Sequence, residues 1–152
     1  MKYVGTELVE SEAMTRLDYN VYRGWTLPSD ENGEDKGYKL TTESREYWVP
    51  KAVFEKTYVK SEGMSFGHTL LLLKIGIKLQ RKGWNGKGMY IYYIPAAKYP
   101  ASGNTLGTMK GVFPDDMVPY QAYIAMKTAD NTVVPWLCSQ SDLLAQDWEE
   151  VQ

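Results

Sequence analysis

The chain is poor in the residues on which metal sites and hydrolytic centres are usually built. Its 152 residues include one cysteine, Cys138, and one histidine, His68. A lone cysteine excludes an internal disulfide and a cysteine-based zinc cage, and a lone histidine leaves no pair for a metal motif or a catalytic relay. Charge of one sign is also lacking, since 17 basic residues face 19 acidic ones. That balance argues against a general binder of nucleic acid polymers or anionic membranes, which carries a clear basic excess. Long apolar runs are missing: the longest, LLLLKIGI at 70–77, is broken by Lys74 and falls far short of a bilayer span. No basic, apolar leader opens the chain. The expectation is a reduced, soluble protein of the cytoplasm.

What the chain does have is aromatic surface, with 12 Tyr, 5 Trp and 3 Phe. A tyrosine-rich balance suits half-buried sheets and aromatic binding walls, while the simpler reading is that most of these rings pack a β-rich core. The pattern divides near KSEGMS at 60–65, a charged, glycine-containing seam. Before it, KYVGTELVE alternates like a strand. Thr15 with Asp18 three residues later predicts a helix over MTRLDYNVYRGW. LPSDENGEDKG reads as an acidic solvated loop without the twelve-residue calcium pattern. REYWVPKAVFEKTY reads as a strand to Val49 and a helix with Pro50 in its first turn.

After the seam, SFGHTLLLLKIG predicts a helix capped by Ser65, with Phe66, Leu70, Leu73 and Ile77 on one face and Gly76 as its left-handed stop. IKLQRKGW and MYIYYI are strands joined by NGKG, a hairpin signal. Residues 95–119 are rich in Pro and Gly and show no period. YQAYIAMKTADNTVVPWLCSQ forms a second hairpin around ADNT, and SDLLAQDWEE closes the chain as a helical turn capped by Ser141. The fold class is α+β: antiparallel β-hairpins packed with one main helix in a C-terminal module, and a small α+β module before it.

Catalytic chemistry finds little support in these residues. His68 lies inside a helix, and Cys138 has no basic flank to lower its pKa and reads as a small buried hydrophobe. GWNGKG lacks the spacing of a phosphate loop and joins two strands. A binding site fits better. Recognising a nucleotide takes an aromatic platform, donors for phosphate and mixed polar groups for ribose or base edges. Trp84 stands beside Asn85, Arg81, Lys82 and Lys87 on the first hairpin. Trp136 stands beside Ser139, Gln140 and Asp142 at the end of the second. Each cluster alone also reads structurally, with Trp84 as a hairpin plug and SQSD as a helix cap.

These stretches carry a family resemblance. GHTLLLLKIGIKLQRKGWNGKGMYIYYIP together with YIAMKTADNTVVPWLCSQSDLLAQDWE resembles the Thoeris anti-defence 2 family of small phage proteins, over about residues 65–152. Residues 1–62 resemble a module that recurs at the N-termini of phage proteins. The resemblance implies a sponge: a homotetramer that sequesters glycocyclic ADP-ribose, and in some members cyclic dinucleotides, in pockets at protomer interfaces without cleaving it. By motif position it implies Trp84 and Trp136 as aromatic walls and Asn85, Ser139, Gln140 and Asp142 as polar contacts. Arg81 and Lys127 become candidates for the pyrophosphate or for supporting those contacts. No cofactor, metal, nucleic acid polymer or membrane is expected, and the place of action is the host bacterial cytoplasm. Two other classes compete. A nucleotide-processing enzyme needs a base or metal cluster that the residues do not supply. A phage structural or assembly protein would use the hairpins purely as subunit contacts.

Overall fold

A computed structural model describes residues 1, 7–84, 88–102 and 106–151. The chain is mixed α+β with antiparallel sheets, as its hairpin signals predict, and it falls into two compact units, Met1–Lys60 and Ser61–Gln152.

In the first unit, strand β1 (Glu10–Thr15) runs into helix α1 (Arg16–Arg23), followed by β2 (Lys36–Thr41), β3 (Glu46–Pro50) and helix α2 (Lys51–Thr57). The sheet order is β1-β2-β3, all antiparallel. The Thr15 side chain accepts the Asp18 N–H and donates to the Asp18 carboxylate at 2.7 Å, so Thr15 is the N-cap that the sequence spacing predicts. Gly24 ends α1 with a left-handed φ of 69°. Pro50 sits one step earlier than expected, at the N-cap of α2.

The strand expected over KYVGTELVE falls partly outside the described residues. Of its described part, 7–10, residues 7–9 are irregular and only Glu10 is in a strand, where β1 begins. β2 was not anticipated. It centres the sheet, with Leu40 fully buried and the Trp48 ring packed close against Gly37, donating from Nε1 to the Met14 carbonyl at 2.9 Å.

The second unit contains β4 (Glu62–Met64), α3 (Phe66–Lys74), β5 (Leu79–Arg81), β6 (Tyr90–Ile94), β7 (Ala97–Pro100), α4 (Leu106–Met109), β8 (Met117–Tyr120), β9 (Tyr123–Lys127), β10 (Val133–Pro135), α5 (Gln140–Leu143) and β11 (Trp148–Glu150). Its main sheet has the order β10-β9-β6-β5-β11-β4. Met64, Leu72, Leu73, Leu79, Ile91 and Trp148 form the buried core.

Several expectations are corrected here. The KSEGMS seam is partly ordered as the edge strand β4. Ser65 occupies the N-cap of α3, but its hydroxyl pairs with His68 Nδ1 at 2.9 Å instead of a backbone N–H. The buried face of α3 is Thr69, Leu72 and Leu73, with Leu70 exposed. Four successive leucines leave the helix phase open, and the Thr69 hydroxyl can be buried because it donates to the Ser65 carbonyl. Gly76 has φ 93° and closes α3 as expected, with its N–H on Leu73 and that of Ile77 on Leu72.

The aperiodic 95–119 segment contains a two-stranded sheet, β7 with β8. The largest correction concerns the C-terminus. Ser139, not Ser141, caps a single helical turn, and residues 148–150 are a strand lying between β5 and β4. The NGKG turn itself falls outside the described residues at 85–87.

The close contact of Trp48 with Gly37 yields the first prediction. A Cβ at position 37 would stand 2.4 Å from both the indole ring and the Val49 carbonyl. Gly37→Ala is therefore expected to destabilise the first unit by about 1–3 kcal/mol, the cost of overpacking a filled site. Urea unfolding of the variant measures this, and wild-type stability would show that the sheet yields freely at that point.

Candidate functional site

The candidate site is organised around Trp148, which strand β11 delivers into the core with no accessible surface. Antiparallel pairing sets Trp148 opposite Arg81 on β5 and Met64 on β4. Two tryptophans pack edge-on against it: Trp84 at 5.3 Å between ring centroids and Trp136 at 5.9 Å. Phe66 fills the space beside Trp136 and Trp148. Edge-to-face contact matches the positive rim of one ring to the negative face of the next, so the rings hold one another at fixed angles. Trp84 and Trp136 are each only partly buried. They are core residues on one side and accessible aromatic surface on the other, which joins the two readings the sequence left open.

A polar network borders the rings. Ser139 and Asp142 cap α5 reciprocally: Asp142 N–H donates to Ser139 Oγ at 3.1 Å, and Ser139 Oγ donates to Asp142 Oδ2 at 2.7 Å. Asp142 Oδ1 accepts from Arg81 Nη1 at 2.7 Å and from Trp84 Nε1 at 3.1 Å. Its backbone carbonyl accepts Trp148 Nε1 at 3.0 Å. Three of the roughly four acceptor positions of this carboxylate are thus filled from within the protein.

Arg81 also grips Asp147, through Nε at 2.7 Å and Nη2 at 3.3 Å, a two-pronged contact suited to the planar guanidinium. Burial disfavours the charged form of Asp142. Hydrogen bonds from Ser139, Arg81 and Trp84 outweigh it and hold the carboxyl below its ordinary range. For Asp147 the Arg81 hydrogen bond is the main cause of a lowered pKa, and Arg81 is raised in turn by Asp147 and then Asp142.

The structure therefore brings together Arg81, Trp84, Ser139 and Asp142, and joins Trp136 to them through Trp148. Gln140 is exposed on the first turn of α5. Lys127 stands apart on β9, opposite Tyr90 and Val133, with Nζ donating to the Gly88 carbonyl at 3.0 Å. Asn85 and Lys87 lie outside the described residues.

Cys138, expected to be buried, is exposed, because the segment after β10 leaves the sheet. Partial cover and then the Asp142 charge push its thiol up, away from reactivity. Asp147 and Trp148 were missed as organising residues. The alternation in QDWEE was the available signal, and the helix reading masked it.

Among the described residues no group of three or more His, Cys, Asp or Glu is placed to hold a metal. No helix among them is long and apolar enough to cross a membrane. An open cleft of about 480 Å³ in the first unit, lined by Arg16, Asp30, Glu31, Asn32, Asp35 and Trp48, shares no residue with this cluster. We place the candidate site at the tryptophans because several aromatic faces and polar groups converge there, whereas the cleft offers one aromatic ring and three carboxylates, Asp30, Glu31 and Asp35.

The model of the Thoeris anti-defense 2-like domain matches residues 64–151. The chain is also similar to Thoeris anti-defense 2 of Bacillus phage SP01, 39% identical over 88 residues, which is 58% of this chain and 94% of that protein.

The two carboxylates predict an acid response. Both have folded-state values below the ordinary 3.8, so the unfolded chain takes up protons first as pH falls. The stability they supply is present above about pH 4 and is lost as pH drops through the depressed values. Unfolding stability is expected to decline less over this range in Asp147→Asn than in the wild type. Urea titrations at a series of pH values check this, and parallel curves for the two proteins would contradict it.

Proposed function

The chain belongs to the Thoeris anti-defense 2-like family, and from that anti-defence membership we propose that it binds and sequesters a cyclic nucleotide immune signal without cleaving it. The signal in this reading is glycocyclic ADP-ribose, with cyclic dinucleotides as further ligands. Its capture in the host bacterial cytoplasm keeps it from the Thoeris effector. Binding is assigned to residues 65–152, with residues 1–62 as a separate phage N-terminal module.

The observation that carries the reading is the pair of half-buried tryptophans, Trp84 and Trp136, braced against one buried Trp148. Braced rings suit a flat base, because their orientation is set before the ligand arrives and little ordering cost remains. Asn85, Ser139 and Gln140 are assigned to ribose or base edges, and Lys127 to the pyrophosphate side. Asp142 is assigned to the polar rim, where its remaining acceptor position is available. A hydrolase of this ligand needs an activated water beside the scissile bond. Asp142, held ionised by three donors, is suited to accepting hydrogen bonds and poorly suited to taking a proton.

The apolar surface around β10 and α5 supports assembly into a homotetramer. Val133, Val134, Leu137, Leu143 and Leu144 are exposed, Leu137 at 91% and Leu144 at 72%. So much apolar surface in one short stretch is the mark of a contact region. Light scattering at micromolar concentration is expected to give the mass of a tetramer, and a monomer would remove the interfacial pocket from this reading.

Glycocyclic ADP-ribose mixed with the protein is expected to disappear from the free pool and to return intact after heat denaturation. Accumulation of ADP-ribose or a linear product beyond one equivalent per site, read by mass spectrometry, would make the protein an enzyme. Trp84→Ala and Trp136→Ala are each expected to weaken binding by roughly 1–3 kcal/mol, the worth of one stacked base. Calorimetry on variants shown to be folded separates this loss from a loss of core packing.

A further inference from the structure

We propose that Arg81 is a positioning residue of this site: it sets Trp84 through Asp142 and the root of the hairpin through Asp147, and does not itself contact the ligand. The inference rests on the binding reading above and deepens it. A lone arginine beside an aromatic wall invites assignment to a phosphate, and the surroundings of Arg81 argue otherwise.

The guanidinium is one-fifth exposed and is held by two carboxylates, Asp142 at 2.7 Å and Asp147 at 2.7 and 3.3 Å. One positive charge against two negative ones leaves the cluster net negative. An incoming phosphate would meet repulsion there and would have to displace bonds that are already charge-assisted.

Each carboxylate passes the grip of Arg81 on to the hairpin. The Asp142 oxygen that accepts from Arg81, Oδ1, is the same atom that accepts the Trp84 indole N–H at 3.1 Å. Asp147 Oδ2 accepts the Gly83 N–H at 2.9 Å as well as Arg81 Nη2. The approach is so close that a Cβ on Gly83 would stand 2.9 Å from that oxygen. Residues 83 and 84 are thereby fixed by two carboxylates whose side chains meet on the one guanidinium of Arg81. With its rim tied to Asp142 and its ring edge-on to Trp148, the Trp84 indole is left with one orientation.

The test separates a positioning role from a ligand contact by the sign of an effect. If Arg81 met the phosphate, Asp147→Asn would free the guanidinium, and binding would hold or tighten. If Arg81 positions the wall, Asp147→Asn loosens it and affinity falls.

We expect the full-length Asp147→Asn protein to bind glycocyclic ADP-ribose about tenfold more weakly by calorimetry, the worth of one charge-assisted hydrogen bond. We expect Arg81→Met to weaken binding in the wild-type background and to add less than about twofold in the Trp84→Ala background, because groups acting through one another are not additive. Unchanged or tighter binding by Asp147→Asn overturns the proposal, and so does a full additive loss in the double variant. Should Arg81→Met fail to fold, the near-isosteric Asp147→Asn decides alone.

Should the wild type bind none of this probe, the sequestering reading fails, and hydrogen exchange of the Trp84 indole N–H, followed by NMR, decides the positioning role separately. Exchange about tenfold faster in Asp147→Asn and in any folded Arg81→Met supports it, and wild-type protection in both overturns it.

Discussion

The full burial of Trp148 is the constraint on which the second unit depends. Its strand is three residues long, too short to hold a place in a sheet by backbone pairing alone. The indole supplies what the ladder lacks. It contacts Phe66, Trp84 and Trp136, and its N–H is satisfied by the Asp142 carbonyl. Truncating a core tryptophan typically costs about 3–5 kcal/mol, a large part of the 5–15 kcal/mol that holds a domain folded. With Trp148 seated, β11 falls between β5 and β4, and Asp147 is carried to Arg81.

Electrostatics then refines what packing begins. One guanidinium and two carboxylates close a bridge from the β5 strand to the α5 turn and to the start of β11. Such a bridge is a poor source of net stability, since desolvation offsets much of its attraction, and its value lies in specifying geometry. Here the geometry concerns the angle of a tryptophan at the edge of the core. A tryptophan face held this way does not have to order itself when a ligand arrives. This matters for a protein whose proposed task is to hold a signal against a competing receptor.

The first unit solves a similar problem with different residues. Trp48 lies over Gly37 on one side, and the Arg16 guanidinium stands 5.2 Å from its ring, itself paired with Glu31. Tyr38, Phe54 and Tyr58 stack in a row that fastens α2 to the sheet, with ring separations of 4.1 and 5.2 Å. The Tyr58 hydroxyl, shared with Tyr47, has its pKa pushed up to about 12, chiefly by that hydrogen bond. In both units a short sheet is stiffened by aromatic side chains, as the tyrosine-rich composition implies.

Local order was legible in the sequence wherever the deciding contacts lie within a few residues. The Thr15–Asp18 cap, the Gly76 stop of α3 and the hairpin around ADNT each follow from dihedral preferences and i to i+3 or i+4 bonds. The family was legible as a resemblance, carried by KGWNGKGM together with PWLCSQSDLLAQDW, and the match over residues 64–151 bears it out.

Only the tertiary structure decided which face of α3 is buried, that QDWEE ends in a strand, that Cys138 stands in solvent, and that Arg81 is claimed by two carboxylates. The contacts that claim Arg81 and tie Trp84 join residues 58 to 66 positions apart. At that separation no local propensity selects the partner. The choice among several carboxylates and several leucines is made by which arrangement buries Trp148 and leaves its neighbours' polar atoms bonded.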